Sequence, residues 1–346
     1  MAQVSIDVAT RRIDLEEPQL TPRGTFTAVW STDLRIEVGT VAGCGRARST
    51  SGSSADQVAD AIGDLCADDE VRDALAVVAS ADVPLEAWRP TWLALERRSA
   101  PGAELKALCA LDEAVWDVVR TRQRLPIGRA APPPVGVYWS GLWLHSTPDE
   151  LTAEARWATA QGYDAAKVRL DGQAVGASID RVEAVLAGAP PGRWLALELA
   201  HSGTSEGVAE LVAGVDPSRI LWVEDPLAAG EVAATADLVA RLPVPVALGE
   251  DCWGRAALAE QVIATGAQVP IVDLGYLGGP SATQLVLEDP RLGGTQLGVH
   301  IDALTGADVA AASTHHRRVW LEAYAWWGLP PLDEVRRRAE PPGAPS

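Results

Sequence analysis

Between residues 135 and 321 the sequence alternates eight short, β-rich apolar runs with stretches of helical period. The runs cover residues 135–139, 165–170, 194–199, 220–224, 245–249, 268–273, 295–299 and 318–321. Most are separated by Ala-, Val- and Leu-rich segments of helical spacing, such as 175–186 and 231–241. Strands joined by helical crossovers run parallel, and a parallel sheet needs cover on both faces. Eight such units in about 190 residues describe a β/α barrel better than an open doubly wound sheet, although period alone does not close the barrel.

The first 125 residues have a different texture. Residues 25–30 and 34–42 alternate and are β-rich, which predicts antiparallel strands. Helical period follows through 59–66, 70–79 and 105–119. A proline-rich stretch at 129–134, with Pro132, Pro133 and Pro134 in a row, then reads as a linker.

Composition narrows the class of function. With a net charge of −18, the chain offers no basic stripe to displace the counterions of a nucleic acid. Its one basic cluster, Arg336 to Arg338, reads as a solvated helix end. No apolar run reaches the roughly 18 residues of a membrane span. The residues after Met1 show no basic-then-apolar leader, so a cytoplasmic protein is expected. Cys44, Cys66, Cys109 and Cys252 are widely spaced without a C-x-x-C, and read as buried thiols rather than a zinc site or disulfide framework. Of 29 basic residues only two are lysine, Lys106 and Lys167, and Lys167 sits inside an apolar strand pattern. A sequence that has nearly abandoned lysine and keeps one there suggests a need for an amine.

In a β/α barrel, chemistry gathers at the C-terminal ends of the strands. There the sequence places Lys167 and Arg169, then Glu198, Glu224, Glu250, Asp273, His300 and Glu322. From Glu198 onward the steps are 26, 26, 23, 27 and 22 residues, each close to one strand–helix unit. Equivalent points on successive strands allow these side chains to converge. Singly, such carboxylates are ordinary strand ends or helix caps; three converging ones repel and do not all ionise without a cation. An all-oxygen set suits Mg²⁺, and zinc fits poorly because neither Cys nor His accompanies the triplet.

The run Lys167-Val-Arg169, Glu198, Trp222-Val-Glu224-Asp225-Pro226, Gly249-Glu250-Asp251, Asp273-Leu-Gly-Tyr276-x-Gly-Gly279 and Gly298-Val-His300 resembles the enolase superfamily, in its mandelate racemase-type subgroup. The resemblance covers essentially the whole chain. It implies an α/β fold, a (β/α)7β TIM-like barrel at 129–325 behind an α+β capping domain at 1–128. A C-terminal segment, 326–346, would partly return to the cap and end in a flexible tail. It further implies that Glu198, Glu224 and Glu250 are Mg²⁺ ligands, and that Asp273 orients and raises the basicity of His300, the proton-abstracting base. Glu322 would hydrogen-bond the substrate carboxylate, and Lys167 and Arg169 would occupy a Lys-x-Lys motif whose second lysine usually serves as the other acid/base. Specificity would come from cap loops, here 22–26 with Arg23 and Phe26, and 49–54. Trp139 and Trp143, flanking Ser140, are candidates to line the site.

Two departures bear on the reaction. The first ligand is Glu198 with Ala200 two residues on, where the family pattern has Asp and Asn, so His201 or Ser202 is a candidate replacement for the missing polar group. Arg169 stands where the second lysine is expected, and arginine is a poor proton acceptor but a good bidentate carboxylate partner. His300 is then the principal base, which favours elimination of water from a hydroxy or sugar acid through an enediolate. Two alternatives stay open: a racemase or epimerase using Lys167 and His300, and a metal-binding barrel without activity. Thirteen tryptophans also leave room for an apolar or ring-bearing substrate. His315 and His316 read as surface residues. The expected partners are a small-molecule carboxylate and further copies of the chain, with no nucleic acid and no membrane.

Overall fold

The structure, a computed structural model, describes residues 4–21, 24–78, 80–81, 84–123, 133–292, 296–312, 318–324 and 331–339. Its N-terminal part is an antiparallel meander of β1 (Val4–Thr21), β2 (Gly24–Val38) and β3 (Val41–Ser49), followed by α1 (Gly52–Ala67), α2 (Asp69–Val78), α3 (Pro84–Arg98) and α4 (Ala103–Gln123). β2 and β3 join through a two-residue turn at Gly39, whose φ of 64° is the left-handed backbone that such tight turns require to match the right-handed twist of the strands. β3 lies directly on α4. A Cβ at Gly43 or Gly45 would come within 2.2 Å of the Ala114 carbonyl or 1.8 Å of the Ala110 carbonyl, so only glycine admits this approach.

This region differs from its sequence reading in three places. β1 was not anticipated, and the single strand expected at 34–42 is the end of β2, a turn and the start of β3. The helix α3 was also not anticipated, because Pro84 and Pro90 interrupt its pattern. The segment expected as a loop at 49–54 already enters α1 at Gly52, capped by the Ser51 hydroxyl, which accepts from the Ser54 N–H.

The second part is a closed, wholly parallel eight-stranded barrel. In chain order it runs β4 (Val135–Ser140), α5 (Pro148–Gln161), β5 (Ala165–Arg169), α6 (Val175–Gly188), β6 (Leu195–Glu198), α7 (Ser205–Ala213), β7 (Ile220–Glu224), α8 (Val232–Arg241), β8 (Val246–Leu248), α9 (Arg255–Thr265), β9 (Val269–Asp273), α10 (Leu274–Leu277), α11 (Pro280–Glu288), β10 (Gln296–His300), α12 (Ala303–Ala312) and β11 (Arg318–Tyr324). β11 closes the ring on β4. All eight expected strands are present within two or three residues of their expected bounds. Inside the barrel, Tyr138, Trp222, Trp320 and Ile271 fill the space between smaller residues such as Ala165, Ala196 and Ala247. The last helix, α13 (Leu332–Ala339), packs on α12. There Asp308 takes Arg338 at 2.9 Å and Arg120 of α4 at 3.9 Å.

Four contacts seat α3, α4 and β3 over the barrel mouth. Arg48 meets Asp302 at 2.6 Å, and Arg255 meets Glu96 at 2.6 Å through both a guanidinium Nη and Nε. The Trp92 indole donates to the Gly278 carbonyl. Asp112, wholly buried in α4, accepts from the Trp88 indole and from the Ser281 N–H and hydroxyl. The cysteines are free, as expected, but only Cys66 and Cys109 are buried; Cys44 is exposed because β3 turns it away from α4. Among the described residues no helix is long and apolar enough to cross a membrane. His315 and His316 and most of the 129–134 stretch lie outside the described residues.

Candidate active site

Parallel register brings the strand ends level. Arg169 pairs with Glu198, Glu198 with Glu224, Asp273 with His300, and Ser140 with Lys167. Glu250 lies two residues beyond β8, and Glu322 is within β11. A cavity of about 310 Å³ opens between this rim and the cap. Lys167, Arg169, Glu198, Glu250, Asp273 and His300 line it from below, and Thr21, Phe26, Arg48, Ser49, Thr50 and Lys106 from above. That volume is at the small end for ligand pockets and fits a compact metabolite.

Glu198, Glu224 and Glu250 are all buried, and one carboxylate oxygen of each lies within 4.8 Å of the other two. That proximity allows one oxygen-seeking ion to be shared by all three carboxylates. Burial, together with the charges of Glu198, Glu250 and Glu322, pushes the Glu224 carboxyl far up despite Lys167. The cluster holds more negative charge than one ammonium balances, and a hard divalent cation would supply the missing charge. All donors are oxygens, as Mg²⁺ requires. The Glu198 carboxylate is also steadied by the Ala200 N–H at 2.7 Å, and Glu224 by the Trp222 indole at 2.7 Å.

Lys167 is 1% exposed, and its ammonium lies 2.8 Å from Glu224, 2.9 Å from Glu322 and 3.2 Å from Glu198. Burial would lower its pKa, yet these carboxylates raise it well above the ordinary value. Such a lysine keeps its proton. Arg169 donates to the Gly141 carbonyl at 2.7 Å and the Ser140 hydroxyl at 3.0 Å, with its guanidinium 4.0 Å from the Trp143 ring and 5.2 Å from that of Tyr324.

His300 and Asp273 form a dyad, with Nδ1 2.8 Å from the Asp273 carboxylate, which also accepts from the Tyr276 N–H. The carboxylate accepts from the Nδ1–H, leaving Nε2 to face Glu250 and Glu322, each at 3.5 Å. Burial lowers the His300 pKa, but Glu250, Glu322 and Asp273 outweigh it and raise it to about 10.

The structure separates the remaining candidates. Phe26 lines the cavity and packs with Val29, Trp143 and Tyr324. Trp143 is buried beneath Arg169 and supports it without lining the cavity. Trp139 points away from the site. Its indole donates to Glu154 of α5 at 2.7 Å and its ring meets Trp157 edge-on, because alternation along β4 sends Tyr138 and Ser140 inward and Trp139 outward. No tryptophan among the described residues lines the cavity; its aromatic lining is Phe26, Tyr276 and Tyr324. Arg23 lies outside the described residues.

The polar replacement expected near Ala200 is also absent. Ser202 donates to the Leu199 carbonyl, and the His201 ring lies between the Leu227 carbonyl and Asp251, both at 2.9 Å, with Asp225 at 3.6 Å. Both ring nitrogens face acceptors. Burial lowers the His201 pKa, but Asp251 and Asp225 outweigh it and raise it to about 9. The ring ties together the loops after β6, β7 and β8, and with Asp225 and Asp251 it forms a second group of side chains that could hold a metal ion.

One feature of the mouth escaped the sequence. Leu142, Ala200, His201, Asp225 and Ile301 all have positive φ, between 43° and 68°, within three residues of the end of a barrel strand. Left-handed backbone at non-glycine residues costs roughly 1–2 kcal/mol each and gathers where function constrains the chain. Only His201 and Asp225 are residue types that visit this region readily, so at Leu142, Ala200 and Ile301 residue identity gave no signal.

A family model described as enolase C-terminal domain-like matches residues 150–340. Two curated relatives are the 3,6-anhydro-alpha-L-galactonate cycloisomerase of Streptomyces coelicolor, 24% identical over 245 residues, and the D-galactarolactone cycloisomerase of Agrobacterium fabrum, 26% identical over 232. These matches take in 69% and 65% of this chain but only 66% and 61% of the relatives, so the chain spans under two thirds of their length. Among solved structures, the L-talarate/galactarate dehydratase of Salmonella typhimurium, liganded with Mg and L-lyxarohydroxamate, superposes with a TM-score of 0.78. It is 18% identical, with 94% of this chain and 83% of that one covered, a likeness of fold. Strand-end carboxylates, dyad and matched barrel point the same way: the chain belongs to the enolase superfamily, in its mandelate racemase-like branch.

Proposed function

We propose that this chain is a Mg²⁺-dependent lyase that removes the proton α to the carboxylate of an acid sugar and eliminates water, with His300 as the base. The observation that carries this reading is the contrast between the pocket's basic groups. Lys167 is locked among three carboxylates and Arg169 keeps its proton at any working pH, so of the cations at the described strand ends the His300 imidazole, held by Asp273, is the one suited to proton transfer. The dehydratase and cycloisomerases to which the chain is similar are named for acid sugars, which supports the substrate class.

Glu198, Glu224 and Glu250 would hold the ion. Bound there, Mg²⁺ supplies positive charge against the enediolate oxygens as they develop. Glu250, one of the carboxylates that raise the His300 pKa, would then be shared with the ion and would hold the imidazolium less strongly. Lys167 and Glu322 flank the position of the substrate carboxylate. His300 Nε2 takes the α-proton, and the C–H electron pair moves into the carboxylate to give the enediolate; that pair then returns to form the Cα=Cβ bond as the β-C–O bond breaks. The imidazolium returns its proton to the departing hydroxide, which leaves as water, and the enol product tautomerises to a 2-keto-3-deoxy acid. Asp273 holds the ring and stabilises its protonated state.

An isomerase reading is kept because two relatives are named cycloisomerases. Racemisation through Lys167 and His300 is disfavoured by the bound state of Lys167. The test is His300→Asn. Turnover is expected to fall by about 10²- to 10⁴-fold, the span of a general base, while Mg²⁺ binding measured by calorimetry is retained. Retained turnover would overturn the assignment.

A further inference from the structure

Among the described residues, five lysine and arginine side chains line the cavity: Arg46, Arg48, Lys106, Lys167 and Arg169. Arg46 is paired with Asp33 at 2.8 Å, Arg48 with Asp302 at 2.6 Å, and Lys167 with three glutamates. Arg169 is spread over a carbonyl, a hydroxyl and two rings. Lys106 differs from all of these. It reaches into the cavity from α4, donates to the Arg48 carbonyl at 2.8 Å and stands 5.3 Å from the Tyr276 ring, which is itself stacked on Trp253 at 4.0 Å. Among the described residues no carboxylate comes within ion-pairing distance of its ammonium. Burial lowers its pKa, with only the more distant Asp273 and Cys109 acting to raise it. A partly buried ammonium, held in place by a carbonyl and an aromatic face but lacking a counterion, is a site built for an anion. Both lysines of this lysine-poor chain thus face one cavity, one among the metal-site carboxylates and the other in the roof.

We propose that Lys106 is a specificity-determining residue that receives a second anionic group, a carboxylate or phosphate, at the end of the substrate remote from the carboxylate at which the proton is abstracted. The proposal rests on the function argued above and deepens it, selecting doubly anionic acids over acids with one charged end. A charge-assisted contact of this kind corresponds to roughly ten- to hundredfold in affinity.

The test measures calorimetric binding to the full chain with Mg²⁺, in the His300→Asn background so that nothing turns over. The probes are galactarate, with a carboxylate at each end, galactonate, with the same carbon chain and one carboxylate, and 6-phosphogluconate. Galactarate or the phosphorylated acid is expected to bind at least tenfold tighter than galactonate, and which of the two does so identifies the anion. Lys106→Met abolishes that preference and the charge-preserving Lys106→Arg retains it. A preference unchanged in Lys106→Met, or variants that lower kcat alone in the His300 enzyme, overturns the proposal.

A second readout separates this inference from the function it rests on. Reductive ¹³C-methylation of the two-lysine chain labels Lys106, while Lys167 is shielded. If none of the three acids binds, the substrate class argued above fails. The Lys106 methyl resonance, followed against a panel of dicarboxylates and phosphorylated acids, then decides: a shift with doubly charged but not singly charged acids supports the subsite, and no shift with any of them overturns it.

Discussion

Replacing Lys167 with methionine isolates the electrostatics of the strand-end cluster. Methionine nearly matches the length of the lysine stem and leaves no large void, so the change removes chiefly the charge. The ammonium has three carboxylate neighbours within 3.2 Å, none more than slightly exposed. Deleting one partner of a buried ion pair costs about 3–5 kcal/mol, because the other is left uncompensated. Lys167→Met should therefore lose about that much in urea unfolding followed by tryptophan fluorescence in the presence of a chelator. With Mg²⁺ the same carboxylates gain a counter-charge. At a hundredfold excess over its Kd an ion adds about 2.7 kcal/mol to the folded state, and the variant, freed of the competing ammonium, should gain more than the parent. The stability gap should therefore narrow with Mg²⁺. A loss below about 1 kcal/mol in chelator, or a gap that Mg²⁺ leaves unchanged, would refute the idea that Lys167 and a divalent cation answer the same excess of charge.

Two further outcomes are expected. Burial raises the Asp302 pKa, but Arg48 outweighs it and holds the carboxyl below its ordinary 3.8. The stabilisation from this cap–barrel pair is therefore complete above pH 3.8 and is lost as pH falls through the lower folded value. Asp302→Asn should accordingly be less stable than the parent near pH 6, by urea unfolding, and the difference should shrink below pH 3.8; a constant difference counts against the bridge. Ala200 has a φ of 44°, which asparagine tolerates better than alanine. Ala200→Asn should raise stability by about 0.5–1 kcal/mol, and a loss measured by the same unfolding experiment would show that the left-handed backbone is not strained.

The barrel was legible because each strand is a short apolar run closed by helical period on either side, and because the chemistry recurs once per unit. Glu198, Glu224 and Glu250 follow from spacing alone, since parallel register carries equal steps to equal heights. β1 was hidden by its own sequence: Ile6, Val8, Ile13 and Leu15 alternate, but Arg11-Arg12 and Glu16-Glu17-Pro18 break the pattern where the strand faces water and then bulges. α3 was hidden by its prolines. The outward turn of Trp139 could have been read, since Lys167 sets the inward phase of its strand and Ser140 is its partner, leaving Trp139 on the other face. Three further facts depend on tertiary placement: Lys167 spanning three carboxylates, His201 bridging three loops, and Lys106 entering the cavity from a cap helix. For Lys106 the only trace in the sequence was the scarcity of lysine.

The account stands on abstraction of a proton α to a carboxylate. Incubating the protein in D2O with Mg²⁺ and a library of hydroxy and acid-sugar carboxylates, read by mass, tests this directly. The account predicts loss of water from at least one acid sugar, with His300→Asn inert toward it. Neither water loss nor deuterium uptake at an α-carbon from any member of the library would contradict it.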